Sequence, residues 1–231
     1  MQIKMKDKPK RVIKEEIEKF PEESIRRYAK SRVRSDYYKE TPIAELTPKR
    51  ELLEILRKHS YKKGEFILAS GKKSDFYIDC KQTFLCYRGL QLAAGLIKEL
   101  AQSFNAVAVA GEGVGGAPLA AAVAVDSGFF SYIQDMHLIV VRKATKDHGT
   151  TQRVERPRHA VPDGSRVVLV EDVFTTGGSA MRAVKALQAD GLNVVAVIAL
   201  VDRLEGAEEL FSKENIKLVS LYSRSDFVVN G

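Results

Sequence analysis

Apolar positions along this chain fall into short runs whose period switches between helix-like and strand-like spacing. Val12, Ile13, Ile17 and Phe20 return every three or four positions, so residues 9–35 read as helix with one apolar face, interrupted at Pro21. Thr47-Pro48 marks a second helix start, a capping hydroxyl followed by proline at the first helical position. Leu52, Leu53, Ile55 and Leu56 form its apolar face, and it ends at Ser60. GEFILA and DFYIDC, on either side of the turn SGKKS, read as an antiparallel strand pair. Residues 88–104 read as helix, 106–110 (AVAVA) as a buried strand, 118–127 as an alanine-rich helix and 138–142 as another buried strand. A glycine cluster at 111–116 separates the first of these strands from its helix.

From residue 143 to residue 163 the periodicity disappears, and charge, threonine, histidine and proline take over. So long a stretch without pattern inside a domain points to a loop that is either functional or mobile. The alternation then resumes with strand 166–170, helix 178–189, a stop at Gly191, strand 194–201, a short helix near 207–211 and strand 217–222. Short apolar strands alternating with helices predict an α/β fold, with a mostly parallel sheet covered on both faces.

Composition and charge change this picture in four places. At 231 residues and 45% apolar, the chain is long enough for one domain with sequence to spare. It has no apolar run of membrane-spanning length, and its charged start lacks the apolar core of a secretory signal. Two cysteines, Cys80 and Cys86, are too few for a disulfide framework and lie in no metal-binding spacing, so a reducing cytoplasm is expected. The net charge of +7 is concentrated in residues 1–50, where fifteen Lys/Arg face nine Asp/Glu. The expected organisation is a basic helical extension, 1–46, followed by a domain, 47–231. Such an arm packs on its own or a partner subunit, or else meets an acidic surface such as nucleic acid.

The chemistry is densest at 167–179, VVLVEDVFTTGGS. An apolar strand ends at Glu171 and Asp172. Val173 and Phe174 lead into a loop of Thr175, Thr176, Gly177, Gly178 and Ser179, and a helix follows. Ligands of open α/β sheets bind at such strand ends, and backbone N–H groups at a helix start hold phosphate. Carboxylates beside a phosphate cradle suit vicinal hydroxyls, so the segment reads as a holder for a sugar phosphate. A capped turn with its acids in water accounts for fewer of these residues.

Three further constellations are weaker. Gly111, Gly113 and Gly116 satisfy G-x-G-x-x-G with Asp135 downstream, which fits a dinucleotide turn, a pyrophosphate-gripping turn or a plain tight turn. Arg142, Lys143, Lys146 and His148, before Gly149, make a cationic lid suited to a departing polyphosphate, or a solvated charged face. Asp202-Arg203-Leu204-Glu205-Gly206 places an arginine at the same sheet edge, for a carboxylate ligand or a salt bridge.

VVLVEDVFTTGGSA resembles the phosphoribosyl-pyrophosphate signature of type I phosphoribosyltransferases. LASGKKSDFYIDCK, VVRKATKDHG and VDRLEG together resemble the orotate phosphoribosyltransferase family, from about Leu52 to the C-terminus. The resemblance implies that fold, with a small hood, and transfer of phosphoribose from phosphoribosyl pyrophosphate to orotate. It implies that Glu171 and Asp172 hold the ribose hydroxyls and that residues 173–179 cradle the 5-phosphate. Thr175 would also reach orotate, and Arg142 would bind pyrophosphate. Lys143, Lys146 and His148 would act from a lid that partly crosses into the neighbouring subunit of a homodimer. Arg203 would pair with the orotate carboxylate, and Tyr77 and Ile78 would pack on its ring. Magnesium would be held mainly by substrate and water, with no dedicated protein ligands. Lys143, Lys146, His148 and Asp172 are the catalytic candidates.

Two positions depart from the family's pattern. Ala69 stands where many members have lysine, with Lys72 and Lys73 just after, and Val114-Gly115 stands where some have Tyr-Lys. The competing expectations are a purine-type phosphoribosyltransferase, which would not need Arg203, and a nucleic-acid-binding regulator on the same fold, which would not need the lid.

Overall fold

The computed structural model describes residues 47–67, 73–126, 136–143 and 153–227. By packing, the chain divides into two units, Met1–Leu46 and Thr47–Gly231. The sequence-predicted helix 9–35 lies outside the described residues, as do Lys146 and His148. None of the described helices is long and apolar enough to cross a membrane.

Helix α1 is Pro48–His59, and its start is the one its sequence predicts. Thr47 Oγ1 accepts from Arg50 N at 3.3 Å, and the Ser60 N–H closes the other end on the Leu56 carbonyl. Strands β1 (Tyr61–Ile67) and β2 (Lys73–Ile78) pair antiparallel, with β1 starting three residues before the expected GEFILA. A four-residue helix α2, Lys81–Phe84, follows and has no counterpart in the sequence reading. It is too short for any apolar period. Its first turn is tied by Asp79, which accepts from Lys81 N and Gln82 Nε2, each at 3.2 Å. Helix α3 is Tyr87–Ser103.

Six strands form the main sheet, in the order β5-β4-β3-β6-β7-β8. They are β3 Ala108–Glu112, β4 His137–Val141, β5 Val154–Glu155, β6 Arg166–Phe174, β7 Asn193–Asp202 and β8 Lys217–Ser223. All neighbours run parallel except the short β5, which pairs antiparallel with β4. Side-chain alternation divides the sheet between two cores. Val168, Val170, Ile198 and Leu200 face α1, α3 and helix α4 (Gly113–Asp126). Val167, Leu169, Val197 and Ala199 face helices α5 (Gly178–Ala189) and α6 (Ala207–Lys213). The expected α/β fold with a sheet covered on both faces is the one observed.

Three expectations need correction. The glycine cluster is not a separate turn before a helix at 118: β3 runs through Gly111 to Glu112, and α4 starts directly at Gly113, with φ +59°. The glycines serve contact. A Cβ on Gly116 would fall 2.3 Å from the Val170 carbonyl oxygen, and one on Gly111 would fall 2.3 Å from the Gly116 carbonyl oxygen. Strand β6 is four residues longer than expected, because Glu171, Val173 and Phe174 stay in the ladder opposite Ala199, Val201 and Asp202. The polar stretch is ordered over residues 153–163. The Arg156 guanidinium is only 1% exposed and bonds Asp190 at 2.6 Å, Asp163 at 2.5 Å and the Val161 carbonyl. Arginine pairing, together with Val154 and Val161 buried in the core, fixes this segment.

Candidate active site

Neighbouring strands β3 and β6 send their connections in opposite directions, β3 to β4 and β6 to β7. This is the topological switch point, and the crevice beyond the carboxyl ends of such strands is where open α/β sheets bind ligands. A cavity of about 270 Å³ lies there, and its lining includes Glu112, Lys143, Glu171, Asp172 and the loop from Val173 to Ser179.

Each element delivers its groups for a local reason. Gly177 has φ +77° at the N-cap of α5, and a Cβ there would meet Phe211 at 2.8 Å. Only glycine makes this turn at no cost, and the turn opens the N–H groups of a helix start toward the cavity. Thr175, Thr176 and Ser179 are exposed beside them, while Phe174 is buried against Phe211 and anchors the loop. Glu171 and Asp172 are adjacent in β6 and so face opposite sides of the sheet. Asp172 accepts from Val173 N at 2.9 Å and lies 3.6 Å from Lys81 Nζ. Lys143 crosses over Gly113, where a Cβ would meet the Lys143 Cε at 2.6 Å.

The electrostatics follow from three acids near the ends of two neighbouring strands, Glu112 on β3 and Glu171 and Asp172 on β6. Burial, then the charges of Asp172 and Glu112, push Glu171 up to about 8, while Lys143 opposes them. The folded chain therefore keeps a proton that an ordinary carboxyl, at 4.5, has lost in the unfolded chain. This contribution to stability is whole below that value and falls as pH rises toward about 8. Glu171→Gln removes the titration. Its melting temperature is expected to match that of the parent near pH 5 and to exceed it by a few degrees near about pH 8.5. A constant difference across that range would contradict the assignment.

Of the residues singled out in the sequence, the structure brings Glu171, Asp172, Val173 to Ser179 and Lys143 to one cavity. Arg142 turns elsewhere: its guanidinium bonds Glu155 on β5 at 2.8–2.9 Å. Arg203 is buried beside the hairpin, 3.2 Å from Ser74 Oγ and 4.6 Å over the Phe76 ring. Its Nε lies 2.9 Å from Glu205 Oε1, yet no hydrogen bond is aligned on it, so one donor direction is unsatisfied. A second cavity of about 810 Å³ opens beside it, lined by Ser74, Glu205 and Arg224 among others. Tyr77 and Ile78 separate: Tyr77 is exposed against Phe66, and Ile78 is buried in the core under the hairpin. Only Tyr77 keeps a free face.

Sequence reasoning missed Glu112, Arg153 and Lys81. Glu112 is buried, pairs with Arg153 at 3.1 Å and accepts from Ser179 Oγ at 3.2 Å. An acid at the end of an apolar strand was the available signal, the same one that marks Glu171. Lys81 had no local signal, since its partner Asp172 is distant in sequence. Burial opposes its charge, but Asp79 and Asp172 outweigh burial and raise its pKa.

A phosphate-ready loop, two carboxylates and a lysine at the switch point define a phosphoribosyltransferase domain, and residues 87–222 match the family described as phosphoribosyl transferase domain. Within it, the chain belongs to the orotate phosphoribosyltransferase family. It is 43% identical over 178 residues to orotate phosphoribosyltransferase of Sorangium cellulosum, covering 77% of this chain and 91% of that protein. It is 43% identical over 179 residues to the Thermosynechococcus vestitus enzyme of the same name, covering 77% and 92%. The crystal structure of Mycobacterium tuberculosis orotate phosphoribosyltransferase with 5-phospho-α-D-ribosyl 1-diphosphate superposes with a TM-score of 0.63 at 31% identity, covering 78% of this chain and 99% of that one.

Proposed function

We propose that this chain transfers the 5-phosphoribosyl group from phosphoribosyl pyrophosphate to orotate, giving orotidine 5′-monophosphate and pyrophosphate in pyrimidine biosynthesis. The observation that carries this reading is the convergence of the 173–179 loop, Glu171, Asp172 and Lys143 on the switch-point cavity. In the reaction the C1–O bond to pyrophosphate breaks and a C1–N bond to the pyrimidine forms, through an oxocarbenium-like state. Orotate is an adequate nucleophile, so the protein positions and stabilises without forming a covalent intermediate.

The roles follow from chemistry and place. The N-terminus of α5 with Thr175, Thr176, Gly177, Gly178 and Ser179 takes the 5-phosphate. Asp172 accepts hydrogen bonds from the ribose hydroxyls as a carboxylate, and Glu171, which holds a proton below about pH 8 in the free protein, meets them through its carboxyl oxygens. Lys143, with Lys146 and His148 from the lid, neutralises the departing diphosphate, and Arg142 joins them on leaving Glu155. Arg203, with one donor free, pairs with the orotate carboxylate, while Thr175 and Tyr77 border the ring. The active form is a cytoplasmic homodimer that shares the lid between subunits, and residues 1–46 are an extension separate from the catalytic domain 47–231.

The residues present suit magnesium. Glu171 and Asp172, two hard oxygen donors, border the proposed donor cavity. That fits a hard cation held mainly by donor oxygens and water, with these carboxylates close by. When bound, it supplies charge neutralisation at the leaving diphosphate.

An absorbance assay offering orotate, hypoxanthine, xanthine and uracil tests the acceptor, and consumption of orotate alone is expected. Arg203→Ala is expected to raise the KM for orotate about tenfold or more, the range for losing one charged hydrogen bond. The donor KM should stay near the parent value. Equal losses for both substrates would remove Arg203 from the acceptor site.

A further inference from the structure

The geometry points to Lys81 as a further donor-contacting residue, supplying a cation at the ribose and diphosphate end of the switch-point cavity. This inference rests on the proposed donor chemistry of that cavity. Lys81 opens α2 on a fixed base. Cys80 and Phe84 are fully buried, and Thr83 Oγ1 meets Ser60 Oγ at 2.7 Å. From that base the ammonium reaches 2.7 Å from Asp79 Oδ1 and 3.6 Å from Asp172 Oδ2, and the side chain lines the cavity.

The charge pattern calls for it. The cavity lining contains Glu112, Glu171 and Asp172, yet the donor carries a phosphate and a diphosphate. Glu112 is already paired with Arg153. The lysines in the lining are Lys143, which influences Glu171, and Lys81, beside Asp172 on the opposite face of β6. Position 115 is a glycine and adds no cation from α4, although it lies beside Asp172, where a Cβ would fall 2.7 Å from Oδ1. Lys81 thus reaches the Asp172 side from a different element. In the free protein it offsets Asp172. With donor bound, it donates to a donor oxygen while Asp172 accepts from a ribose hydroxyl. The 5-phosphate remains with the start of α5.

The test compares Lys81→Ala and Lys81→Arg in the full chain. Initial rates give both substrate KM values, titration calorimetry gives the affinity for magnesium pyrophosphate, and thermal melts report folding. Lys81→Ala is expected to raise the donor KM and weaken pyrophosphate binding about tenfold or more. The orotate KM should stay within about twofold, and Lys81→Arg should recover most of the loss. Donor KM and pyrophosphate affinity near parent values would overturn the assignment. So would equal losses for both substrates with lowered melting in both variants, since that marks a support for α2. Pyrophosphate binding does not depend on the acceptor base. If the parent consumes no orotate, the proposed reaction fails while the calorimetry still decides on Lys81.

Discussion

Lys143→Ala is expected to lower turnover by about a hundredfold or more, with smaller changes in either KM. Lys143 lies over Gly113 in the cavity lining and acts on Glu171, and in the proposed reaction its ammonium meets the diphosphate charge that builds as C1–O breaks. A group used mainly in the transition state shows its loss in kcat, whereas one that grips the ground state shows it in KM. Steady-state kinetics with varied donor separate the two. A rise in donor KM at normal kcat would make Lys143 a binding residue, and unchanged kinetics would sink the role of the lid.

Gly116→Ala is expected to destabilise the fold by about 2–3 kcal/mol or more, through forced backbone movement. The added Cβ would lie 2.3 Å from the Val170 carbonyl oxygen, which belongs to backbone and cannot rotate away. Helix α4 would have to lift from β6, and the cavity lies between their ends. Denaturant unfolding should show a lowered midpoint, and activity should fall even where the variant remains folded. Parent-like stability would mean that the close packing of α4 on β6 is not required. Gly95 is a useful contrast, because a Cβ there meets nothing within 4 Å.

Much of this arrangement was legible in the sequence where local chemistry decides. Thr47-Pro48 gave the start of α1, and the Gly177-Gly178 and Gly191 boundaries gave α5 at both ends. Glu171, Asp172 and the loop after them share a single strand-to-loop segment, so one stretch of sequence carried most of the lining of the switch-point cavity. Where partners are distant the sequence was silent. Arg156 orders its segment through Asp190, and Glu112 is fixed by Arg153 and Ser179. Lys81 matters only because β6 brings Asp172 to it. The glycines at 111–116 were legible as special but not as to purpose. Their spacing suits a phosphate turn and close helix packing alike; the approach of Gly116 to Val170 shows the packing, while Val114 and Gly115 also line the cavity.

The acceptor side was read less completely. Tyr77 and Ile78 look like a pair in sequence, but neighbours in a strand face opposite ways, and Ile78 goes to the core. Arg203 was legible from its place after a buried strand. Its stacking on Phe76 and its approach to Ser74 come from the hairpin, whose position no local pattern reveals.

The most direct measurement is the loss of orotate absorbance when the purified chain meets orotate, phosphoribosyl pyrophosphate and magnesium. Expected is a steady fall that stops when either the donor or magnesium is left out, with orotidine 5′-monophosphate and pyrophosphate formed in equal amounts. Unchanged orotate in the complete mixture, with hypoxanthine or uracil consumed in its place, would contradict the assignment.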